Sequence, residues 1–319
     1  MTETTKTVFE KHEIRKSKKQ KAAFAEYVQA TATAEGYPSH IEPGSLGAKN
    51  IVVGNPETAK VVYTAHYDTC AVMPFPNFIT PKNILIYILY QMLITFVLLL
   101  LPILPAVGLL LLLKNNESVD AELLGSLLYF VWLSLVILEL GLVMAGPANR
   151  HTANDNTSGV TTLLDIMHAL PAELRPHVAF IFFDLEEMGL FGSSGYGSIH
   201  KSVRKNTLLL NFDCVSDGDT ILFAVNKGAR PYVPAMEAAF PSTETLQAEV
   251  VTKGVFYPSD QASFICGVGV AALKRSKHGI LYMDRIHTKN DTVYEEKNIE
   301  YLTEGAVRLA RAMAEHTKE

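Results

Sequence analysis

Two long apolar stretches interrupt an otherwise water-compatible sequence, and they restrict what this chain can fold into more than any other feature. Residues 84–113 are a 30-residue run with 25 apolar side chains and no charge; residues 123–146 are a 24-residue run with 18 apolar side chains and one charge, Glu139. About 20 helical residues cross a hydrocarbon core of ~30 Å, so each run is long enough to span it. The short polar connection 114–122 makes the pair read as a helical hairpin with both ends on one side of a bilayer. The first run is expected to tilt, or to break at Pro102 and Pro105. A core hairpin of a large soluble protein is the alternative, although soluble core helices seldom run this long without polar residues. Glu139 is costly in lipid and is expected to snorkel or to face the partner helix.

Removing both runs lowers the apolar fraction from 48 % to roughly 42 %, an ordinary soluble composition. Residues 1–83 and 147–319 are therefore expected to form one discontinuous domain, with residues 84–146 as a two-helix insertion. The net charge of −5, from 28 Lys and Arg against 33 Asp and Glu, argues against a nucleic-acid binder. Three Cys without CxxC spacing exclude a disulfide framework and a zinc ribbon. Lys82 and Arg150 flank the hairpin, and Lys6, Lys11, Arg15, Lys16, Lys18, Lys19 and Lys21 lie on the same side; the tip sets Lys114 against Glu117, Asp120 and Glu122. That bias predicts an integral membrane protein of two spans with its soluble domain in the cytoplasm. The polar N-terminus is expected to carry no signal peptide.

Along the rest of the chain, residues 13–35 read as a helix closed by Gly36. Strands are predicted at 51–53 and 61–65, then a helix at 158–170. Residues 178–183 form a continuous apolar run typical of a central strand covered on both faces. Further strands are expected at 208–212, 221–225 and 268–273, and an amphipathic helix at 299–316. Strands alternating with helices predict an α/β sandwich.

Acidic residues and histidines fall just past several of these strands: His66 and Asp68 after the second, Asp184, Glu186 and Glu187 after 178–183, Asp213 after 208–212. Ligands of open α/β sheets bind outside the carboxyl ends of strands, so these side chains could converge. Asp155 opens the helix after the hairpin, and His287 lies in a polar loop. Each feature alone has an ordinary reading: a hydrogen-bonded His and Asp pair, a solvated Glu pair, an Asn-Asp-Asn helix cap. Together, two His and four carboxylates form a donor set suited to Zn, Mn or Co. It is also large enough for two ions sharing a bridging carboxylate, with one Glu left as base.

The stretches Ala65-His66-Tyr67-Asp68-Thr69, Asn154-Asp155-Asn156-Thr157-Ser158-Gly159 and Phe183-Asp184-Leu185-Glu186-Glu187-Met188-Gly189 resemble a known family. Asn211-Phe212-Asp213, Ser259-Asp260-Gln261 and His287-Thr288 with Asp291-Thr292 complete the series. It is similar to the co-catalytic di-zinc exopeptidases of clan MH, which include bacterial leucyl aminopeptidases, glutamate carboxypeptidase and glutaminyl cyclases. The motifs keep the family's order and cover the chain from Asn50 onward, apart from the hairpin. The resemblance implies a three-layer αβα sandwich with a central mixed, mainly parallel sheet. It implies one zinc on His66, Asp155 and Asp213 and a second on Asp155, Glu187 and His287, with Glu186 as general base. Asp68 would hydrogen-bond the His66 ring and fix its tautomer. Mn or Co could replace zinc.

The implied activity is that of a membrane-anchored aminopeptidase acting on short peptides. A single-zinc acyltransferase like the glutaminyl cyclases, and a silent receptor or scaffold on the same fold, are the alternatives. The sequence departs from the family at Gln261, where a His is common, and at His151, where a Gly or Ala is common. Tyr257 is a candidate oxyanion donor whose offset does not match cleanly. Asp68 and Asp155 are 87 residues apart, and the hairpin accounts for the excess over soluble members. The sequons at Asn156 and Asn290 fall in the expected site, where a glycan would obstruct chemistry; that favours a cytosolic placement. The sequon at Asn116 decides nothing. Cys214, following Asp213, is expected to point to the opposite face as a packing residue.

Overall fold

The computed structural model describes residues 1–114 and 120–315. The tip sequon at Asn116, Glu117 and the terminal His316 lie outside them. The predicted helix over 13–35 is α2 (Lys18–Ala34), which starts five residues later than expected; a further helix that was not predicted, α1 (Glu3–His12), precedes it. Ser17 starts α2 through a capping box, its hydroxyl accepting from Gln20 N while the Gln20 side chain accepts from Ser17 N. The intervening Arg15, counted above among the basic residues on the side of the hairpin's ends, is fully buried.

After α2 come β1 (Ser39–Pro43), β2 (Lys49–Val53) and β3 (Val61–His66), then α3 (Ile84–Leu100), α4 (Ile103–Leu113) and α5 (Ala121–Ala145). The chain returns through α6 (Gly159–Ala169), β4 (Val178–Phe183), α7 (Phe191–Ile199), α8 (Lys201–Asn206), β5 (Leu208–Phe212) and β6 (Thr220–Val225). It closes with α9 (Val233–Ala239), β7 (Gln247–Val251), β8 (Gly267–Arg275), β9 (Leu281–Tyr282) and α10 (Glu296–Glu315).

The strands form one mixed sheet in the order β1-β2-β4-β3-β5-β8-β6-β7, with β9 against β8. Its centre, β4-β3-β5-β8, is parallel, whereas β1-β2-β4 and β6-β8 pair antiparallel. Alternation along β4 splits its apolar run between two cores. Val178, Phe180 and Phe182 join Val61, Tyr63 and the α6 and α10 side chains; Ala179, Ile181 and Phe183 join Val62, Tyr196 and Val203 on the other face. That burial on both faces explains the unbroken hydrophobicity of the strand and makes the fold a three-layer sandwich.

The apolar runs become helices long and apolar enough to cross a membrane, with only 6 % and 0 % of their most apolar stretches buried in the fold. A soluble core hairpin would be covered; this one is not. The break falls at Pro102, between α3 and α4, because proline has no N–H to continue the ladder. Pro105 sits in the first turn of α4, where an N–H has no helical partner anyway. Glu139 faces the partner helix, lining a cavity of about 100 Å³ with Thr95 of α3.

Both ends of this insertion are strapped to the sheet's carboxyl edge. Val72 N donates to Pro147 O (2.9 Å) and Asn149 N to Cys70 O (3.1 Å), while Met73 N donates to His287 O (2.7 Å). Ile79 bridges Met283, and Tyr90 Oη donates to Pro76 O (2.6 Å).

Gly159 sets how closely α6 approaches β5. A Cβ there would lie 2.3 Å from the carbonyl oxygen of Phe212, a backbone atom that cannot swing aside. Gly159→Ala is expected to destabilise the fold by about 1–3 kcal/mol, measurable as a lowered thermal midpoint of the detergent-solubilised protein. An unchanged midpoint would contradict this packing.

Candidate metal centre

The site collects at the carboxyl ends of β3, β4 and β5. β3 delivers His66 and Asp68, the turn after β4 delivers Glu186 and Glu187, and β5 delivers Asp213. Asp155 arrives from the turn Ala153–Ser158 ahead of α6, and His287 from the loop after β9. Asn156 clamps the arrangement: its Nδ2 donates to the carbonyls of His66 (3.3 Å) and Phe212 (3.1 Å), and its Oδ1 accepts from Gly159 N (2.9 Å). Asn156 thereby ties β3 to β5. Asn154 Oδ1 accepts from Ser216 N (2.8 Å), holding the loop after Asp213.

Two groups of ligand-type atoms share Asp155. His66 Nε2 lies 3.3 Å from Asp155 Oδ1 and 3.3 Å from Asp213 Oδ1. His287 Nε2 lies 3.1 Å from Asp155 Oδ2 and 3.2 Å from Glu187 Oε2. Both sets match the spacing of ion ligands, their atoms within 4.8 Å of one another. Glu186 forms a further such group with His66 and Glu187. The five expected ligands, His66, Asp155, Glu187, Asp213 and His287, and the expected base, Glu186, are thus brought together.

Asp68 acts differently from the expectation. The ring Nδ1 of His66 donates to the backbone carbonyl of Asp68 (3.1 Å), and the Asp68 carboxylate is 3.7 Å away. That carboxylate instead accepts from the backbone N–H of Glu186 (3.0 Å) and Glu187 (3.3 Å), fixing the turn that carries both. The carbonyl bond still leaves Nε2 as the ring atom facing the carboxylates.

Electrostatics fit a cation. Burial drives the Glu187 carboxyl up to about 8, and burial holds Glu186 well above the carboxylate range. Burial works against the charge on Asp155, but hydrogen bonds from His287 and His66 outweigh it and hold this carboxyl below its usual range. Burial likewise opposes protonation of His287, yet Glu187 and Asp155 raise it to about 9. Glu187 Oε1 is inaccessible and has no hydrogen-bond partner among the described residues. Buried carboxylates this close repel one another, and a buried carboxylate oxygen without a partner is what a divalent ion would satisfy. Asp291 orients Asp155 by accepting from its N–H (3.0 Å) and that of Asn154 (2.9 Å); burial and the Asp155 charge push Asp291 to about 7.

Four of the five non-glycine residues with positive φ among those described, Leu185, Leu190, Cys214 and His287, lie in or beside this site. Such strain of order 1–3 kcal/mol each is held where function demands it. Cys214, at φ 57° just past the end of β5, packs as expected in an apolar cluster with Leu222, Ala224 and Ala271, although not through strand alternation. Its thiol donates to Asp213 Oδ1 (3.1 Å).

Asp184 stands apart, accepting from Lys21 Nζ (2.7 Å) and Lys49 N (3.0 Å). His151 is exposed. The Tyr257 hydroxyl is occupied, donating to Asp213 O (3.0 Å), and Gln261 Nε2 donates to Tyr257 O (2.6 Å). Two residues escaped the sequence reading. Cys70 groups with Asp155, Glu187 and His287 at ligand distance. Arg15 lies beneath the site, Nε donating to Tyr67 O (2.6 Å) and Nη1 to Thr157 Oγ1 (3.2 Å). Adjacency to Asp68 and Thr69 was the only available signal for Cys70, and a buried arginine leaves none.

Known structures share this fold at low identity. An aminopeptidase of Legionella pneumophila, LapA, superposes with TM-score 0.56 at 13 % identity, covering 98 % of this chain and 68 % of its own. A leucine aminopeptidase precursor from Bacteroides thetaiotaomicron gives 0.55 at 14 %, covering 96 % and 93 %. The glutaminyl cyclase of Porphyromonas gingivalis gives 0.54 at 15 %, covering 97 % of each. No curated protein sequence matches the chain. The profile of peptidase family M28 does match it, over residues 141–309, more than half of its length and a span that holds Asp155, Glu186, Glu187, Asp213 and His287. The chain is therefore a member of peptidase family M28.

Proposed function

We propose that this protein is a membrane-anchored di-zinc aminopeptidase that hydrolyses short peptides. The observation carrying this reading is the pair of ligand groups that meet at Asp155, with Glu186 beside them. His66, Asp155 and Asp213 would hold one zinc ion, and Asp155, Glu187 and His287 the other. Two cations held there would draw the pKa of a nucleophilic water toward neutrality and polarise the scissile carbonyl. Glu186 accepts the water proton at a carboxylate oxygen and returns it to the leaving amine. Its desolvated surroundings favour the protonated form, which helps it hold that proton between the two transfers. Asp68 keeps Glu186 and Glu187 in register through their N–H groups.

Residues 84–146 act as the anchor, and residues 1–83 with 147–319 form the catalytic domain. Cytoplasmic placement is supported by the basic residues beside the hairpin's ends: Lys16 Nζ donates to Met144 O (3.2 Å) at the end of α5. Buried Arg15 drops out of that count.

Detergent-purified protein is expected to cleave members of an aminoacyl-fluorophore panel, to lose activity on chelation and to regain it with zinc. Glu186→Gln should lower kcat about 100- to 10,000-fold while leaving bound zinc unchanged. Cyclisation of an N-terminal glutaminyl peptide without aminoacyl hydrolysis would favour the acyltransferase reading. Neither activity nor bound zinc would favour the silent scaffold.

Metal-free protein should also show a characteristic pH profile. Glu187 at about 8 and Asp291 at about 7 sit above their unfolded values near 4. The folded state therefore binds protons more tightly, so stability falls as pH rises from about 4 to about 8. Saturating zinc should flatten this dependence in thermal melts; an equal slope with and without zinc would contradict the assignment.

A further inference from the structure

A groove of about 420 Å³ runs between the start of α2, the end of α5 and the turn after β4. Asp68 and Glu187 are among its lining residues, so it adjoins the candidate metal centre. Met144 and Ala145, the last turn of the hairpin, line it together with Leu185 and Met188. Lys16 and Lys21 are the cations of its lining.

Those lysines differ. Lys21 is neutralised by Asp184 at 2.7 Å, with its side chain only 14 % exposed. Lys16 donates to the carbonyl of Met144 (3.2 Å) and has no carboxylate in ion-pair range among the described residues. The negative end of the α5 dipole steadies that ammonium without cancelling its charge. The groove thus brings together residues of the candidate metal centre, apolar side chains from the hairpin's end and one unspent positive charge. A short peptide cleaved at that centre would end in a carboxylate for which Lys16 is the unpaired cation of the lining.

We propose that this groove holds the leaving portion of the substrate, and that it selects short apolar di- and tripeptides by their free C-terminal carboxylate, received by Lys16, along a wall built from the hairpin's end. The proposal rests on the exopeptidase reading. It makes the end of the hairpin a specificity element as well as part of an anchor.

Binding separates the two ideas. Zinc-loaded, full-length Glu186→Gln protein in detergent is titrated calorimetrically with Leu-Leu and with Leu-Leu amide. The free acid should bind about tenfold more tightly, the difference expected for one charge-assisted contact. Adding Lys16→Gln should bring the two affinities together, whereas Lys19→Gln, exposed on α2 and outside the groove, should preserve the difference. In the active enzyme the same preference should appear in KM rather than kcat, and Met144→Ala should raise KM for a large apolar residue after the scissile bond. Hydrolysis of acid and amide with equal KM, or a preference that survives Lys16→Gln, would overturn the groove assignment and leave the exopeptidase standing. Failure to cleave any peptide, with no binding of either dileucine, would overturn both.

Discussion

Carboxylates crowded at one edge of a sheet set the terms for the rest of this structure. Asp155, Glu186, Glu187 and Asp213 approach two imidazoles within a few ångströms, with Asp68, Asp260 and Asp291 buried close behind. In a low-dielectric interior such groups either neutralise or find positive charge. Arg15, the buried cation beneath them, spends its hydrogen bonds on backbone carbonyls and a hydroxyl. Asp68 and Asp291 are instead steadied by backbone N–H groups, each at a turn that presents a ligand-type residue. Glu187 Oε1 and both carboxylate oxygens of Asp260 are buried without a partner among the described residues. The polar turns and the positive-φ residues around the edge hold that convergence in place against its own repulsion.

A fold that must do this needs rigid strand ends, and the parallel centre of the sheet supplies them. β4, β3 and β5 end side by side because their registers align, Val61 with Val178 on one side and Leu208 on the other. Asn211, just ahead of Asp213, accepts from Thr64 and donates to Ser259, so adjacent strands are also locked through side chains.

Much of this was legible in the sequence, for identifiable reasons. The central strands announce themselves because burial on both faces demands an unbroken apolar run, as in residues 178–183. His66, Asp68, Glu186, Glu187 and Asp213 announce themselves because they end or directly follow those strands, whereas Asp155 and His287 sit in a turn and a loop. What was hidden is what lacks a pattern. β1 and β7 are edge strands, half-exposed and interrupted by polar residues, so they carry neither alternation nor an apolar run. The true start of α2 was written in the Ser17 and Gln20 capping box but masked by the helical composition ahead of it, and α1 was missed. Asp68 shows a different limit: its neighbourhood was readable, yet whether its carboxylate or its carbonyl would meet His66 depends on the backbone path after β3. Cys214 does pack in an apolar cluster as expected, but its thiol contact with Asp213 follows from the backbone after β5 rather than from strand alternation.

The hairpin is placed where the chain passes from the first site-bearing strand to Asp155, and this placement has structural consequences. A peripheral insertion would leave the site's rim to ordinary loops. Here the segment leading into α3 runs along the loop that carries His287, joined to it through Met73 and Ile79, and the segment leaving α5 is bonded to Cys70. The sheet therefore fixes the spacing of the ligand-type residues, while the straps on either side of the insertion hold the rim around them. Because the same few backbone bonds serve both, the orientation of the apolar helices and the shape of the approach to Glu187 are set together.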